Sequence, residues 1–411
     1  MRLALWSYQS GALDGNLERY ARYLPVDILW LGDYSLRYSA RRLKVEDKQH
    51  ATVAAPEVIA DAAPDRGDTA EQDRSDGAGA SRLRFVGWML ALLRLGPALI
   101  LGLLVLVMAN LSPVFFTTQN LGNVLVQSSA IAILAIGQLL VILTRGIDLS
   151  VGSTVALSAV VGATVFAETG SGAVTVMAML ITGALVGVVN GVGYVYGRIP
   201  HPFIVTLATL SIARGLALGI SGGQPISGMP DIVTTIGGGS ANWIASWFPN
   251  AALLVAGVAV IVVLVLTRVV WGRWIYAVGG SPEGARRVGI PRNAVLVSVY
   301  VLSGLLAGIA AIIVSGRLNA GSPTFGQLAE LDAIAAVVIG GASFLGGRGH
   351  VGHAIVGALM IGVIRNGMTL LNVEAYLQLI AIGVVIFLAV ESDVVRGRLE
   401  SKFRVLKAAA S

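Results

Sequence analysis

The sequence predicts an all-α polytopic membrane protein, and three observations carry that prediction. Hydrophobic residues make up 55% of the 411-residue chain and charged residues only 13%, where soluble domains carry roughly 25% charged residues. Mean hydropathy is +0.78. From Leu95 onward the apolar residues fall into stretches near the roughly 20 that a helix needs to cross a bilayer. The 51 glycines suit such helices, because small residues let backbones approach closely. The chain has no cysteine, which excludes disulfides, thiol catalysis and thiolate metal ligands.

Residues 1–94 stand apart. A mixed segment leads into APDRGDTAEQDRSDGAGAS, a polar, charged run with the signature of a disordered linker. The apolar run at the N-terminus is too short and poorly flanked for a signal peptide. Two readings stay open: a variable cytoplasmic extension, or an over-extended gene start with Met89 as the true one. The membrane part, 95–392, is expected to hold about ten spans, at 95–112, 122–143, 149–167, 172–196, 202–221, 251–270, 293–315, 332–345, 351–371 and 373–390. The eighth is short and Gly-rich, so it is expected to be broken or re-entrant. A basic tail, 393–411, follows.

The charges give an orientation. Residues 1–94 carry 13 Lys/Arg and 13 Asp/Glu, whereas 95–411 carry 16 and 10, so the net +6 belongs to the membrane part. Cytoplasmic loops collect Arg and Lys. With the N-terminus inside, Arg145, Arg198, the 268–292 loop, Arg348 and the tail all fall in the cytoplasm. Glu168, Asp231, Arg317 and Glu330 then lie on outer loops, and both termini are cytoplasmic. The basic excess reads as topology and not as nucleic-acid binding. A faint internal echo, GALVGVVNG at 183–191 against GALMIGVIRNG at 357–367, suggests two repeats around a central path.

The run Gly146-Ile-Asp-Leu-Ser-Val-Gly-Ser153 places Asp148 in almost wholly apolar surroundings, where an ionisable group is a functional-site hypothesis by default. One reading makes Asp148 the cap of the next helix, with Ser150 in its first turn and Gly152 and Ser153 beyond. Gly146 would then ease the turn, and Arg145 is near enough to pair with Asp148. The other reading gives Asp148 a role in gating or partner contact.

In the loop VGGSPEGARRVGI, Ser281 suits an N-cap, Pro282 the first helical position and Glu283 the first turn. Gly289 suits a left-handed end. Gly284, Ala285, Arg286 and Arg287 complete a stiff, two-turn cytoplasmic helix suited to docking a soluble partner.

Gln138, Asn190, Arg214, Arg365 and Asn366 fall within spans. Such residues line a path, bond between helices or snorkel. Asn190 and Asn366, which correspond in the repeat, are the better path candidates, with Gln138 and Arg214 beside them. There is no P-loop motif and no H-E-x-x-H. His350 and His353 have no carboxylate neighbour to complete a metal site. No catalytic constellation is apparent, and no cofactor is expected on this chain.

Four motifs, LVILTRGIDLSVGSTVAL, HPFIVTLATLSIARGLAL, VGGSPEGARRVGI and ELDAIAAVVIGGASFLGGRG, occur in an order and spacing that resemble the ribose-type permeases of bacterial ABC importers. That family also includes branched-chain amino-acid permeases. The resemblance covers about 95–390 and implies a dimeric pore in the bacterial inner membrane. It also implies a periplasmic sugar-binding protein and an ATP-hydrolysing partner subunit that docks on the helix at 281–289. Three positions depart from the family: Ser281 where Asn is common, Gly284 where Ala is usual, and Arg145 where a small residue is frequent. Two alternatives remain: import of a branched-chain amino acid or other small solute, and a stand-alone secondary transporter.

Overall fold

The computed structural model describes residues 96–391. The extension 1–94 and the tail 393–411 lie outside the described residues. In chain order the helices are α1 (Gly96–Leu111), α2 (Thr118–Leu143), α3 (Val151–Thr169), α4 (Gly172–Tyr196), α5 (Pro202–Ser221), α6 (Asp231–Gly238), α7 (Asn250–Arg268), α8 (Val270–Gly280), α9 (Pro282–Arg287), α10 (Arg292–Leu318), α11 (Ala329–Ile339) and α12 (Val351–Leu370). The series closes with α13 (Ala375–Glu391). Seven of these, α2 to α5, α7, α10 and α12, are long and apolar enough to cross a membrane. The chain is an all-α polytopic membrane protein. Its only described sheet is a two-residue pairing, in which β1 (Ile226–Ser227) runs antiparallel to β2 (Ala320–Gly321).

Helices α2 and α3 and much of α10 are buried, whereas α4, α5 and α7 bury one face. Their outer faces are apolar: Val260, Ile261, Val263 and Leu264 on α7 are all exposed. This pattern suits hydrocarbon as solvent, because nothing drives apolar side chains inward when lipid is as apolar as the core. Packing then rests on close approach. The largest helix–helix interface joins α4 to α10, and glycines make it. A Cβ on Gly183 would stand 2.3 Å from the Gly304 carbonyl oxygen, and one on Gly187 2.3 Å from that of Tyr300. Gly183 faces Gly304 and Gly308, Gly187 faces Tyr300 and Val301, and Gly191 faces Val297, so the two backbones touch over about two turns.

The eighth predicted span departs from a simple crossing. After α10 the chain returns as an irregular segment, 319–328, laid along α3. Gly321 abuts the Ala159 carbonyl and Gly326 the Gly152 carbonyl. Only then does α11 begin, and it ends after 11 residues. Gly341, Gly346 and Gly347, all at positive φ, keep 340–350 irregular. Glu330, expected on an outer loop, is instead the second residue of α11 and is buried. Irregular backbone at membrane depth is tolerated only inside protein or along water, and here α3 covers it. Helix α8 was not foreseen, because Trp271, Arg273, Trp274 and Tyr276 make its 11 residues too polar and short to read as a span.

Candidate functional site

The loop after α2 builds the first half of the site. Helix α2 ends at Leu143, and the Gly146 N–H donates back to the Val141 carbonyl at 2.9 Å. Gly146 is sterically required, since a Cβ there would lie 2.5 Å from the Tyr300 hydroxyl. The chain then climbs back alongside α2. The Gln138 carboxamide pairs with the Asp148 peptide groups, donating to the carbonyl at 3.1 Å and accepting from the N–H at 3.2 Å.

Asp148 is 1% exposed. Its Oδ1 accepts from the Ser150 N–H at 3.0 Å, the Ser150 hydroxyl at 2.7 Å and the Asn190 amide at 3.4 Å. Its Oδ2 accepts from the Ser303 hydroxyl at 3.0 Å. Asn190 also donates to Ser150 Oγ at 2.7 Å and accepts from Thr209 at 2.5 Å. Asp148 thus holds α4 and α10 through its carboxylate and α2 through its peptide groups at the start of α3, and α5 joins through Asn190. Burial pushes its carboxyl above the ordinary carboxylate range, while the hydrogen bonds from Ser150 and Ser303 pull it down.

Two expectations are corrected here. Asp148 is not the helix cap: α3 begins at Val151 with Ser150 at the cap position, and Asp148 closes a local turn onto the Ser150 N–H instead. Nor does Arg145 pair with Asp148. Its Nε donates to the Gly279 carbonyl at 2.6 Å and its Nη2 to the Gly280 carbonyl at 2.8 Å. Arg145 sits at φ +67, a left-handed conformation that costs a residue with a Cβ about 1–2 kcal/mol. Two charge-assisted hydrogen bonds, each about 1.5–3 kcal/mol, offset that cost.

The remaining polar residues fall into separate groups. Gly152, in the first turn of α3, faces α11, and a Cβ there would lie 2.2 Å from Glu330 Oε2. Ser153 donates to the Ser150 carbonyl at 2.9 Å. Arg214 does not snorkel: its Nη1 donates to the carbonyls of Pro323 and Phe325, satisfying the irregular 319–328 backbone. Arg365 also turns inward and meets both Asp332 oxygens at 2.9 and 2.8 Å. Asn366 exchanges hydrogen bonds with Asn120 at 3.0 and 2.8 Å, so Asn190 and Asn366 sit in different settings. Gln138, Asn190 and Asn366 are all buried with partners inside the chain. Asn120, Thr209, Ser303, Glu330 and Asp332 escaped the sequence reading as site residues. Of these only the two carboxylates of ELDAIAAVV carry a signal in sequence.

The second half of the site is α9. Ser281 Oγ accepts from the Gly284 N–H at 3.1 Å, and Pro282 takes the first helical position. At the other end the Gly289 N–H donates to Arg286 O at 3.1 Å and the Ile290 N–H to Ala285 O at 3.0 Å. With Gly289 at φ +79, this is a Schellman end. Gly284 has a local reason: a Cβ there would come within 2.9 Å of the capping Ser281 Oγ. Ala285 is buried under the helix, while Glu283 and Arg287 point outward, 3.6 Å apart and 82% and 78% exposed. Helices α8 and α9 share Ser281, which closes one and caps the other.

Comparison with known proteins places this geometry in a family. Residues 120–390 match the model described as "Branched-chain amino acid transport system / permease component". The ribose import permease protein of Escherichia coli (strain K12) is 40% identical over 299 residues, which are 71% of this chain and 90% of the relative. That of Bacillus subtilis (strain 168) is 38% identical, covering 76% of this chain and 95% of the relative. The D-allose transport system permease protein of E. coli K12 is 37% identical, covering 72% and 90%. No solved structure matches the chain. The match spans both the Asp148 loop and α9, and the chain belongs to the family of transport-system permease components.

Proposed function

We propose that this chain is the membrane permease of a bacterial ABC importer and carries a monosaccharide. The observation that supports this best is the set of relatives matched over nine-tenths of their length or more, which are named as ribose import permeases and a D-allose transport system permease. The capped, outward-facing α9 supports the coupling half of the reading, because a short stiff helix is suited to receive force from a soluble subunit. In this reading a partner subunit binds and hydrolyses ATP, this chain holds no cofactor, and a periplasmic sugar-binding protein delivers the solute. A second permease copy completes the path, lipid surrounds the apolar faces, and both termini lie in the cytoplasm of an inner-membrane protein. The residues 281–289 dock on the ATPase. ATP shifts the permease between states only if the closed ATPase dimer prefers one of them through α9. The Asp148 network, with Gln138 and Asn190, holds the loop that separates those states.

The test is labelled-solute uptake in cells lacking the chain, with and without its restoration. Ribose, allose, galactose and leucine are offered, each with and without an ATP block that spares the membrane potential. The expected outcome is ATP-dependent uptake of one monosaccharide, abolished by Glu283→Lys while the protein remains inserted. Leucine uptake alone would favour the amino-acid reading that the family description suggests. Uptake that survives ATP depletion would make the chain a stand-alone carrier.

A further inference from the structure

We infer that Arg145 is the positioning residue through which movement of α9 reaches the Asp148 loop. This rests on the reading that α9 receives the ATPase, and it names the connection that reading needs. Four observations carry it.

First, Arg145 spends two donors on the last carbonyls of α8, Gly279 and Gly280. These are end-of-helix oxygens without intrahelical partners, at the negative end of the dipole, where a cation is favoured. Second, the next residue is Ser281, which caps α9, so no flexible spacer separates the guanidinium contact from the docking helix. Third, the junction cannot slide. A Cβ on Gly279 would lie 1.7 Å from the Leu143 carbonyl and 2.6 Å from the Gly347 nitrogen, and the Gly347 N–H donates to that same Leu143 carbonyl at 2.9 Å. The end of α2, the end of α8 and the irregular 340–350 segment are therefore locked in backbone contact. Fourth, Arg145 is three residues from Asp148 in a seven-residue loop whose other end opens α3. A pull on α8 and α9 is delivered to the loop at Arg145 and resisted at Asp148.

The left-handed φ marks the position as one where glycine would sit without strain. An arginine there makes sense through what its side chain holds. The structural alternative is that Arg145 only staples α8 to the bundle, in which case its loss would loosen the fold or release the ATPase.

Arg145→Gly and Arg145→Lys in the assembled importer separate the two. Arg145→Gly removes the clamp and relieves the backbone, so its thermal midpoint in detergent should be no lower than the parent's, and the ATPase subunit should still co-purify. ATP hydrolysis is expected within two-fold of the parent while solute uptake falls at least ten-fold. Arg145→Lys, which keeps the charge and a donor, should recover part of the uptake. Uptake by Arg145→Gly within two-fold of the parent would overturn the assignment. So would a loss of uptake that comes with a lower thermal midpoint or loss of the ATPase subunit. If the parent itself shows no ATP-dependent uptake, the importer reading fails first and this inference with it.

Discussion

Among the described residues no cation stands against Asp148; hydroxyls, an amide and the Ser150 backbone N–H hold its carboxylate instead. Because burial raises its proton affinity in the folded state, the folded chain binds this proton more tightly than the unfolded one. Stability linked to this group is then present at low pH and is lost as pH rises from the ordinary carboxylate value toward the raised folded one. The thermal advantage of the parent over Asp148→Asn is therefore expected to shrink as pH rises through the range above the ordinary carboxylate value. A difference constant across that range would mean folding does not change this carboxyl's ionisation. Asp148→Ala should cost more, roughly 1–3 kcal/mol, because Ser150, Asn190 and Ser303 lose their acceptor together. In sequence, Asp148 was conspicuous because it stood alone among apolar residues. Its partners were not, since Ser303 lies 155 residues away in an ordinary Ser-Gly pair.

At the scale of elements, local chemistry was legible and distant contacts were not. The ends of α9 could be read from Ser281, Pro282 and Gly289 because capping involves residues within one turn of each other. The Arg145 contact to α8 crosses 134 residues, and a nearby aspartate in sequence made the wrong pairing the natural one. Spans were readable by length and hydropathy, and the break before α11 by its glycines. The run 319–328 was not, because its backbone is satisfied by α5 through Arg214. The α4–α10 interface sets its own test. Gly304→Val would force a branched side chain where a single Cβ already reaches 2.1 Å from the Gly183 carbonyl. Overpacking of about 1–3 kcal/mol or more should appear as loss of the monodisperse species in detergent, whereas Gly257→Val on α7, where a Cβ meets nothing, should leave it intact.

Over the whole molecule, the buried helices and the irregular segments divide the work. The 144–150 loop, α8–α9, the 319–328 segment and the 340–350 segment are the irregular or short pieces around α2, α3 and α10, and three of them meet at Gly279. The glycine contact between α4 and α10 has a mechanical meaning. Helices that meet through long side chains can shear, because rotamers take up the slack. Helices in backbone contact have no slack, and a shift of one residue, about 1.5 Å along the axis, drives a neighbouring side chain into the opposite backbone. Helices α4 and α10 therefore form a chassis that travels as one body, and displacement falls to the pieces attached to it. The cysteine-free chain lets paired spin labels read this directly. The distance between labels at Tyr196 and Asn293, on α4 and α10, should stay fixed through an ATP cycle, while one from Tyr196 to Val288, just past α9, should change.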